Sequence, residues 1–397
     1  MASVTDVDPV DFETYKNGVP FGLYDEMRRR DPVLLQDTQI GRLWSVTGLE
    51  ELRLMVRDPQ TFSSTDTVVF QNVPEERDGD LAAMINMDPP KHDKLRRIVN
   101  RGFTPVYIAR LEDQIRAIVR ELIEETRERD RFEFIDSLGL MLPVLVVGVL
   151  LGIPDVDRKA FVQWSIDLFG DRRDPEAAKR GLQARQGIYA LARDMAEEKR
   201  KNPGDDVTSK IVNAMDSETL TTEEYQSFFE LILIGGFETT RNLVAQGTIR
   251  LLTEPDLLAD VATDQSLIPS FVEEVLRFYC PIVGMKRIVT KDIDWHGRHM
   301  QAGDRIALWF PAANRDPAAF EEPNVFDARR SPNAHVAFGA GGPHHCIGAA
   351  LARLEGRIFF EEFGPLLRTL EYDGDIVYAA NPQMSTVVNV PLRWRSH

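Results

Sequence analysis

The residue with the clearest chemical potential is Cys346. It closes the run Phe338-Gly339-Ala340-Gly341-Gly342-Pro343-His344-His345-Cys346-Ile347-Gly348 and leads into a helical pattern, Ala349-Ala350-Leu351-Ala352-Arg353. Three glycines ahead of it let the backbone approach a flat, bulky group without a Cβ clash. A place at a helix N-terminus sets orphan N–H groups and the positive end of the macrodipole beside the sulfur, which favours a thiolate. Two other arrangements use the same residues: a glycine-rich turn around an inert, buried cysteine, and a zinc site drawing on His344, His345 and Cys346. Zinc fits poorly, because ligands this crowded need partners from a second knuckle and no matching pair of closely spaced Cys or His exists. A group held through a single protein ligand meets no such obstacle. Cys280, just before Pro281 and far from any comparable loop, reads as a small buried hydrophobe.

A second constellation sits in a long helical stretch. Thr221 and Glu224 make a capping-box pattern, and the apolar run continues to Leu252 before Glu254-Pro255. A helix of about thirty residues is roughly 45 Å long, enough to cross a domain. Its middle reads Gly235-Gly236-Phe237-Glu238-Thr239-Thr240, and interior glycines cost about 1 kcal/mol each relative to alanine. Missing side-chain bulk, together with a threonine hydroxyl bonded to a backbone carbonyl, bends a helix and opens a groove for a diatomic molecule and water. Glu238 beside Thr239 pairs an acid with an alcohol, a combination suited to proton relay. Close helix packing at the glycines, with a solvated glutamate, is the alternative.

Two charge pairs stand out by spacing. Glu274 and Arg277 share one face of a short helix beginning near Pro269, and if exposed they would stabilise little. Asp88-Pro89-Pro90 reads as an N-cap followed by proline at the first helical position. His92 and Arg96 then share a face suited to an anion, or form an ordinary surface pair.

These four motifs, in their order along the chain from Asp88 to the Cys346 helix, resemble the bacterial cytochrome P450 family of haem-thiolate monooxygenases. The Cys346 segment is similar to the family's haem loop, a Phe, a Gly-rich turn, a basic residue, one residue and then Cys-x-Gly, with Phe338, His344, Cys346 and Gly348 matching. Gly235 to Thr240 resembles its central-helix motif, Glu274-x-x-Arg277 its Glu-x-x-Arg motif, and His92-x-x-x-Arg96 the pair it sets against the haem propionates. The resemblance implies haem b (iron protoporphyrin IX) with Cys346 as metal ligand and dioxygen as co-substrate. The thiolate would push electron density to the iron. It also implies that Glu238 and Thr239 deliver protons during dioxygen activation. His92, Arg96, Arg287 and His344 would hold the propionates, since buried anions require paired donors, with Phe338, Gly339 and Gly348 framing the cofactor. Glu274, Arg277 and Arg330, the last preferred to Arg329, would lock the loop that presents Cys346.

By the same resemblance, substrate contacts fall around Val68 to Met84, near Phe169, at Leu233, Gly236 and Phe237, at Ile282, Val283 and Met285, and near Ser385 to Val387. These positions are mostly apolar, which favours a terpenoid, steroid or fatty substrate undergoing hydroxylation or epoxidation. Two departures matter. Phe338 lies eight positions before Cys346 where seven is usual, as in similar bacterial members that oxidise sterol side chains and branched lipids. Phe237 is bulkier than the Asn of similar members, so regiochemistry does not carry over. Haem-dependent rearrangement or dehydration without external electrons is a different class, disfavoured by the Glu238–Thr239 pair. A non-catalytic haem sensor is a third.

Composition sets the partners. With 47 Lys and Arg against 63 Asp and Glu, the net charge of −16 opposes nucleic-acid and anionic-lipid binding. No apolar run approaches the roughly 20 residues needed to span a bilayer. Met1 to Asp11 lacks the features of a signal peptide and only two cysteines are present, so a cytoplasmic location is expected. No Gly-x-Gly-x-x-Gly opens a strand-to-helix unit, so electrons are expected from a ferredoxin- or flavodoxin-type donor and its reductase. Arg96, Arg97, Arg101, Arg353 and Arg357 could form its basic docking patch.

Without repeats, low-complexity tracts or linkers, residues 1–397 are expected to form a single domain, disordered only over about the first ten residues. Helical periodicity covers Ile108 to Arg129, Lys179 to Arg200, Thr222 to Leu252, Pro269 to Phe278 and Ile347 to Phe363. Short strands are expected at Leu43 to Thr47, Lys286 to Val289, Arg305 to Phe310 and Thr386 to Pro391, with a loop at Ser63 to Asp80. The fold class is therefore mainly α with small β-sheets, a cytochrome P450 fold with a long central helix over the haem.

Overall fold

The computed structural model describes residues 7–70, 83–154, 158–168, 175–215 and 220–395. Its axis is the helix Thr222–Thr253, whose start is the capping box read from the sequence. Thr221 Oγ1 accepts from Glu224 N–H at 3.1 Å, and the Glu224 carboxylate accepts from Thr221 N–H at 3.1 Å. Glu254 and Pro255 end it, because a proline cannot continue the ladder. This central helix is buried on nearly every side, under Met141–Leu151, Pro175–Lys201, Ile268–Tyr279 and Ala349–Phe363. Glu112–Arg127 closes the bundle against Met141–Leu151 and Ala349–Phe363. At the closest crossing a Cβ on Gly247 would lie 2.3 Å from Phe360 Cζ, so only glycine admits that approach.

The strongly periodic helices form where the residues place them. The pattern from Ile108 is divided: Thr104 caps a short helix, Pro105–Ala109, and the chain turns at Leu111 before Glu112–Arg127. The sequence reading passed over Met141–Leu151, which is apolar all round and so carries no amphipathic period. It also passed over Phe21–Arg30, Leu49–Val56, Arg158–Leu168, Val207–Met215 and Pro255–Thr263.

The strands are β1 (Val33–Thr38), β2 (Gly41–Val46), β3 (Phe62–Ser63), β4 (Arg131–Glu133), β5 (Gly284–Val289), β6 (Ile293–Trp295), β7 (Arg298–Met300), β8 (Arg305–Trp309), β9 (Leu370–Tyr372), β10 (Val377–Ala379), β11 (Thr386–Asn389) and β12 (Pro391–Trp394). They form a five-stranded sheet ordered β1-β2-β8-β5-β3, in which β2 and β8 run parallel, and three small sheets, β4-β12-β9, β10-β11 and β6-β7. All four expected strands are present.

Ser64 to Phe70 has no regular structure, as expected of a loop, and residues 71–82 lie outside the described residues. The expected N-terminal disorder does not reach residue 10. Val10 is buried, its N–H donates to Asp8 at 2.9 Å, and Tyr15 OH is shared with Pro9 O and Tyr24 OH. Among the described residues no helix is long and apolar enough to cross a membrane.

The two glycine positions should respond in opposite ways in urea unfolding. Gly247→Ala forces the central helix off Phe360 and lowers stability by about 1–3 kcal/mol. Gly235→Ala meets nothing within 4 Å and raises it by up to about 1 kcal/mol through helix propensity.

Candidate active site

The Cys346 loop is closed by its own backbone, since Cys346 N–H donates to Phe338 O at 2.8 Å. Gly339 and Gly341 take φ of +88° and +83°, where a Cβ would be strained. Gly342 serves another end: a Cβ there would lie 2.1 Å from Val56 O, at the end of Leu49–Val56. Gly339 and Gly341 thus turn the loop, and Gly342 docks it against protein. The longer loop still holds Phe338, which is buried beneath the Arg353 guanidinium, 4.4 Å from the ring centroid.

Cys346 presents its side chain to open space two residues before Gly348, the N-cap of Ala349–Phe363. Burial by the surrounding chain raises the thiol pKa, and the opposing Gly348 N–H, Arg96 and Arg353 do not overcome it.

Around this loop converge donors with little negative charge to meet them. His92 is buried in the first turn of Lys91–Val99, with Nδ1 3.0 Å from Asp93 and, among the described residues, Nε2 without a hydrogen-bond partner. Its ring centroid lies 4.3 Å from that of His344, which shares a hydrogen bond with Ser64 Oγ at 3.2 Å. Burial, then the charges of Arg287 and His92, press His344 down to about 3, so it is neutral at ordinary pH. Arg287, on β5, is buried and donates to Lys286 O at 2.7 Å. Burial lowers its pKa to about 10, against a pull from Asp88. Arg96 donates to His345 O at 2.6 Å and is likewise lowered by burial. Contrary to the sequence-based expectation, Asp88 does not cap the helix. Pro90 takes the N-cap position, and the Asp88 carboxylate accepts from Ser63 Oγ and Ser64 N–H. Unpaired, buried guanidinium is costly. A flat group carrying two carboxylates and a metal fits these four donors and the sulfur.

In the central helix Thr239 Oγ1 donates to Gly235 O at 2.7 Å, the side-chain-to-backbone diversion expected there. Asn242 makes a second: its Nδ2 donates to Glu238 O at 2.7 Å while its Oδ1 accepts from Val387 N–H at 2.9 Å. Leu231, Ile234, Gly235, Gly236 and Thr239 are the accessible positions of this stretch, and nothing would meet a Cβ on Gly235. Glu238 is buried. Its carboxylate accepts from Arg241 Nη2 at 2.6 Å, and burial raises its pKa against Arg241.

A cytochrome P450 family model matches residues 51–368. Among relatives, a putative cytochrome P450, YjiB, of Bacillus subtilis is 36% identical over 85% of this chain and 85% of its own. A methyl-branched lipid omega-hydroxylase of Mycobacterium tuberculosis is 34% identical over 89% and 86%. The crystal structure of CYP109E1 from Bacillus megaterium in complex with testosterone superposes with a TM-score of 0.85 at 30% identity, covering 97% of this chain and 100% of that one. The chain belongs to the cytochrome P450 family. It is a haem-thiolate monooxygenase that uses haem b and dioxygen, takes electrons from a redox partner and acts on a hydrophobic substrate. The helical fold with small sheets is the P450 fold, and the rearrangement and sensor alternatives find no support among these relatives.

The structure brings the expected P450 lock together. Glu274 and Arg277, both with 0% side-chain exposure, form a two-bond pair at 2.8 and 2.7 Å. Arg277 also donates to Asn314 O, Pro323 O and Val325 O. Glu274 further accepts from Asp327 N–H, Arg330 Nε and Asn333 Nδ2. Arg330, not Arg329, is the third member, for Arg329 reaches out to Asp260.

Residues the sequence reading missed extend the lock to the thiolate loop. Glu273 accepts from Arg353 at 2.7 Å and pairs with His335 at 3.1 Å, and His335 lies beside the Phe338 ring. Asn333, Glu273 and His335 are polar residues whose partners lie far off in sequence, and no local spacing announces them.

Several expected substrate contacts fall on packed faces. Leu233 and Phe237 are fully buried, Phe237 against the edge of Phe161, and a Cβ on Gly236 would lie 2.8 Å from Val147. Val283 is buried with Phe70 and Trp309. Ile282 and Met285 remain half-buried, while Phe169 lies outside the described residues. Arg353 and Arg357 are engaged by Glu273, and by Glu112 and Glu361, so they are not free for docking. Arg97 and Arg101 remain exposed.

Glu274→Ala strands Arg277 without its counter-charge and should cost about 3–5 kcal/mol in urea unfolding, with loss of bound haem. Gly342→Ala pushes the loop off Val56 and should lower haem retention while leaving helix content unchanged by circular dichroism. Against burial, hydrogen bonds from His335 and Arg353 pull Glu273 down to about 2 from 4.5. Its contribution is then present above pH 4.5 and lost as pH falls toward 2. The stability difference between wild type and Glu273→Gln should shrink over that interval and stay constant above it.

Proposed function

We propose that Cys346 is the axial ligand of the haem iron and that His92, Arg96, Arg287 and His344 hold the two propionates. Supporting this is the convergence of buried and half-buried donors beside the Cys346 loop, where among the described residues His92 Nε2 is unpartnered and Arg287 has no ion pair. Bound there, the thiolate-ligated iron supplies electron density for cleaving the bond of dioxygen. Phe338, Gly339 and Gly348 frame the ligand: Phe338 O accepts the Cys346 N–H, and the Gly348 N–H favours the charged form of the sulfur. Glu274, Arg277 and Arg330 hold the loop in register.

Thr239 carries a hydroxyl at the accessible face of the central helix, where Gly235 leaves room for a small molecule and water. Glu238 is the acid behind it. Burial raises its pKa, so it takes up a proton more readily than an exposed glutamate, and Arg241 restrains its carboxylate. Protons pass from this side of the helix to the Thr239 hydroxyl.

The relatives' methyl-branched lipid and testosterone support a fatty, terpenoid or steroid substrate. Leu231 and Ile234 replace Leu233 and Phe237 as its contacts on the central helix, beside Ile282 and Met285. We assign the whole chain, 1–397, to one haem domain working in the cytoplasm. A ferredoxin- or flavodoxin-type donor docks on Arg97 and Arg101, the exposed arginines after His92.

Cys346→Ala should abolish the thiolate signature in the spectrum of the reduced carbon monoxide complex. Thr239→Ala should keep that signature while diverting reductant from product to peroxide, and efficient product formation by this variant would remove the role assigned to Thr239. Charge reversal at Arg97 and Arg101 should slow reduction by a ferredoxin, leaving reduction by dithionite unaltered.

A further inference from the structure

Beside the Cys346 loop lies an open cavity of about 330 Å³, walled by the helix Leu49–Val56 with its C-cap Arg57 and by the turn Gly339-Ala340-Gly341. Cys346 does not line it, and neither do His92, Arg96, Arg287 and His344, the donors assigned to the haem. It is therefore a second site, with a different set of polar groups.

Arg53 and Arg57 are four residues apart and share a face of that helix end. Arg53 Nη2 donates to Ala334 O at 2.9 Å, and Arg57 Nη2 would lie 3.4 Å from a Cβ on Gly341. Ala334 and Gly341 both line the cavity, so both guanidinium groups stand at its wall. Among the described residues neither arginine has an ion pair, and Arg57 donates to no acceptor. Glu50 is the one carboxylate among the described lining residues and pairs with neither, while His335 is already held by Glu273 at 3.1 Å. Two positive charges thus face one negative charge. The turn adds backbone donors. Gly339 and Gly341 take φ of +88° and +83°, and among the described residues the N–H groups of Ala340 and Gly341 meet no acceptor. Left-handed residues in a turn gather successive N–H groups into a concavity that suits phosphate.

We propose that this cavity binds a phosphate monoester, with Arg53 and Arg57 on the phosphate oxygens and the turn at Ala340 and Gly341 supplying further donors. A guanidinium fork matches two phosphate oxygens at once. The volume lies at the lower end of the about 300–1,000 Å³ of small-molecule pockets, which leaves space for a small organic part beside the phosphate. A ligand held there joins Leu49–Val56 to the loop that presents Cys346, adding to the contact that Gly342 makes with Val56.

The test is calorimetric titration of the holoenzyme at constant ionic strength with inorganic phosphate, ribose 5-phosphate and succinate. Ribose 5-phosphate should bind, and the Arg53→Gln/Arg57→Gln double variant should raise its Kd at least about tenfold. Glu50→Gln removes the opposing carboxylate and should lower that Kd by about twofold or more. It reads the same site should the double variant fail to fold. Arg129→Gln, at an exposed arginine that does not line the cavity, should leave the Kd unaltered. Inorganic phosphate binding as tightly as the ester would support the site and confine its ligand to the phosphate group. Absence of binding of either phosphate to wild type overturns the proposal. So does a Kd unaltered in both the double variant and Glu50→Gln, and so does succinate binding as tightly as ribose 5-phosphate.

Discussion

Polar donors gathered beside the Cys346 loop, with few acceptors to meet them, organise this site. Arg287 is removed from water on β5, half-buried Arg96 donates to a backbone carbonyl, and among the described residues the buried His92 Nε2 has no partner. A protein core tolerates such groups only when something completes them. Two carboxylates on one flat ligand would do so at once, and would also lift the penalty that burial places on the neighbouring groups. Binding of haem and folding of this region are on that view one equilibrium, in which the cofactor supplies the counter-charge that the chain withholds.

The same economy explains the other buried ion pair. Glu274 and Arg277 are completely enclosed, yet every donor of the guanidinium end and both carboxylate oxygens have partners. Their partners are backbone groups from Asn314 to Asp327 and the side chains of Arg330 and Asn333. The pair therefore fixes the path of the chain that leads to Cys346. Glu273, one residue earlier, completes the path by gripping Arg353 and His335 on either side of Phe338. One helix turn thus positions the metal ligand from two directions.

Much of this was legible in the residues, and the reasons are particular. The central helix was readable because its cap, length and glycine interruption are local signals, and the hydroxyl of Thr239 bonds where local chemistry said it would. Glu274, Arg277 and Arg330 were readable as a motif. What escaped was set by tertiary contact. Gly342 meets Val56, Gly236 meets Val147 and Phe237 meets Phe161, and nothing near those residues in sequence reveals which face of a buried helix is packed and which is open. Met141–Leu151 escaped because a helix apolar on all sides has no period to detect. Arg353 and Arg357 looked like free surface charge until Glu273, Glu112 and Glu361 were brought to them.

The claim on which the account rests is that the four donors exist for the haem carboxylates. The most direct test compares binding of iron protoporphyrin IX and of its dimethyl ester to haem-depleted protein, since esterification removes the negative charge and preserves the ring and metal. The account predicts binding of the ester weaker by at least about a hundredfold. Equal affinity for the two would contradict it, leaving His92, Arg96, Arg287 and His344 without the role assigned to them.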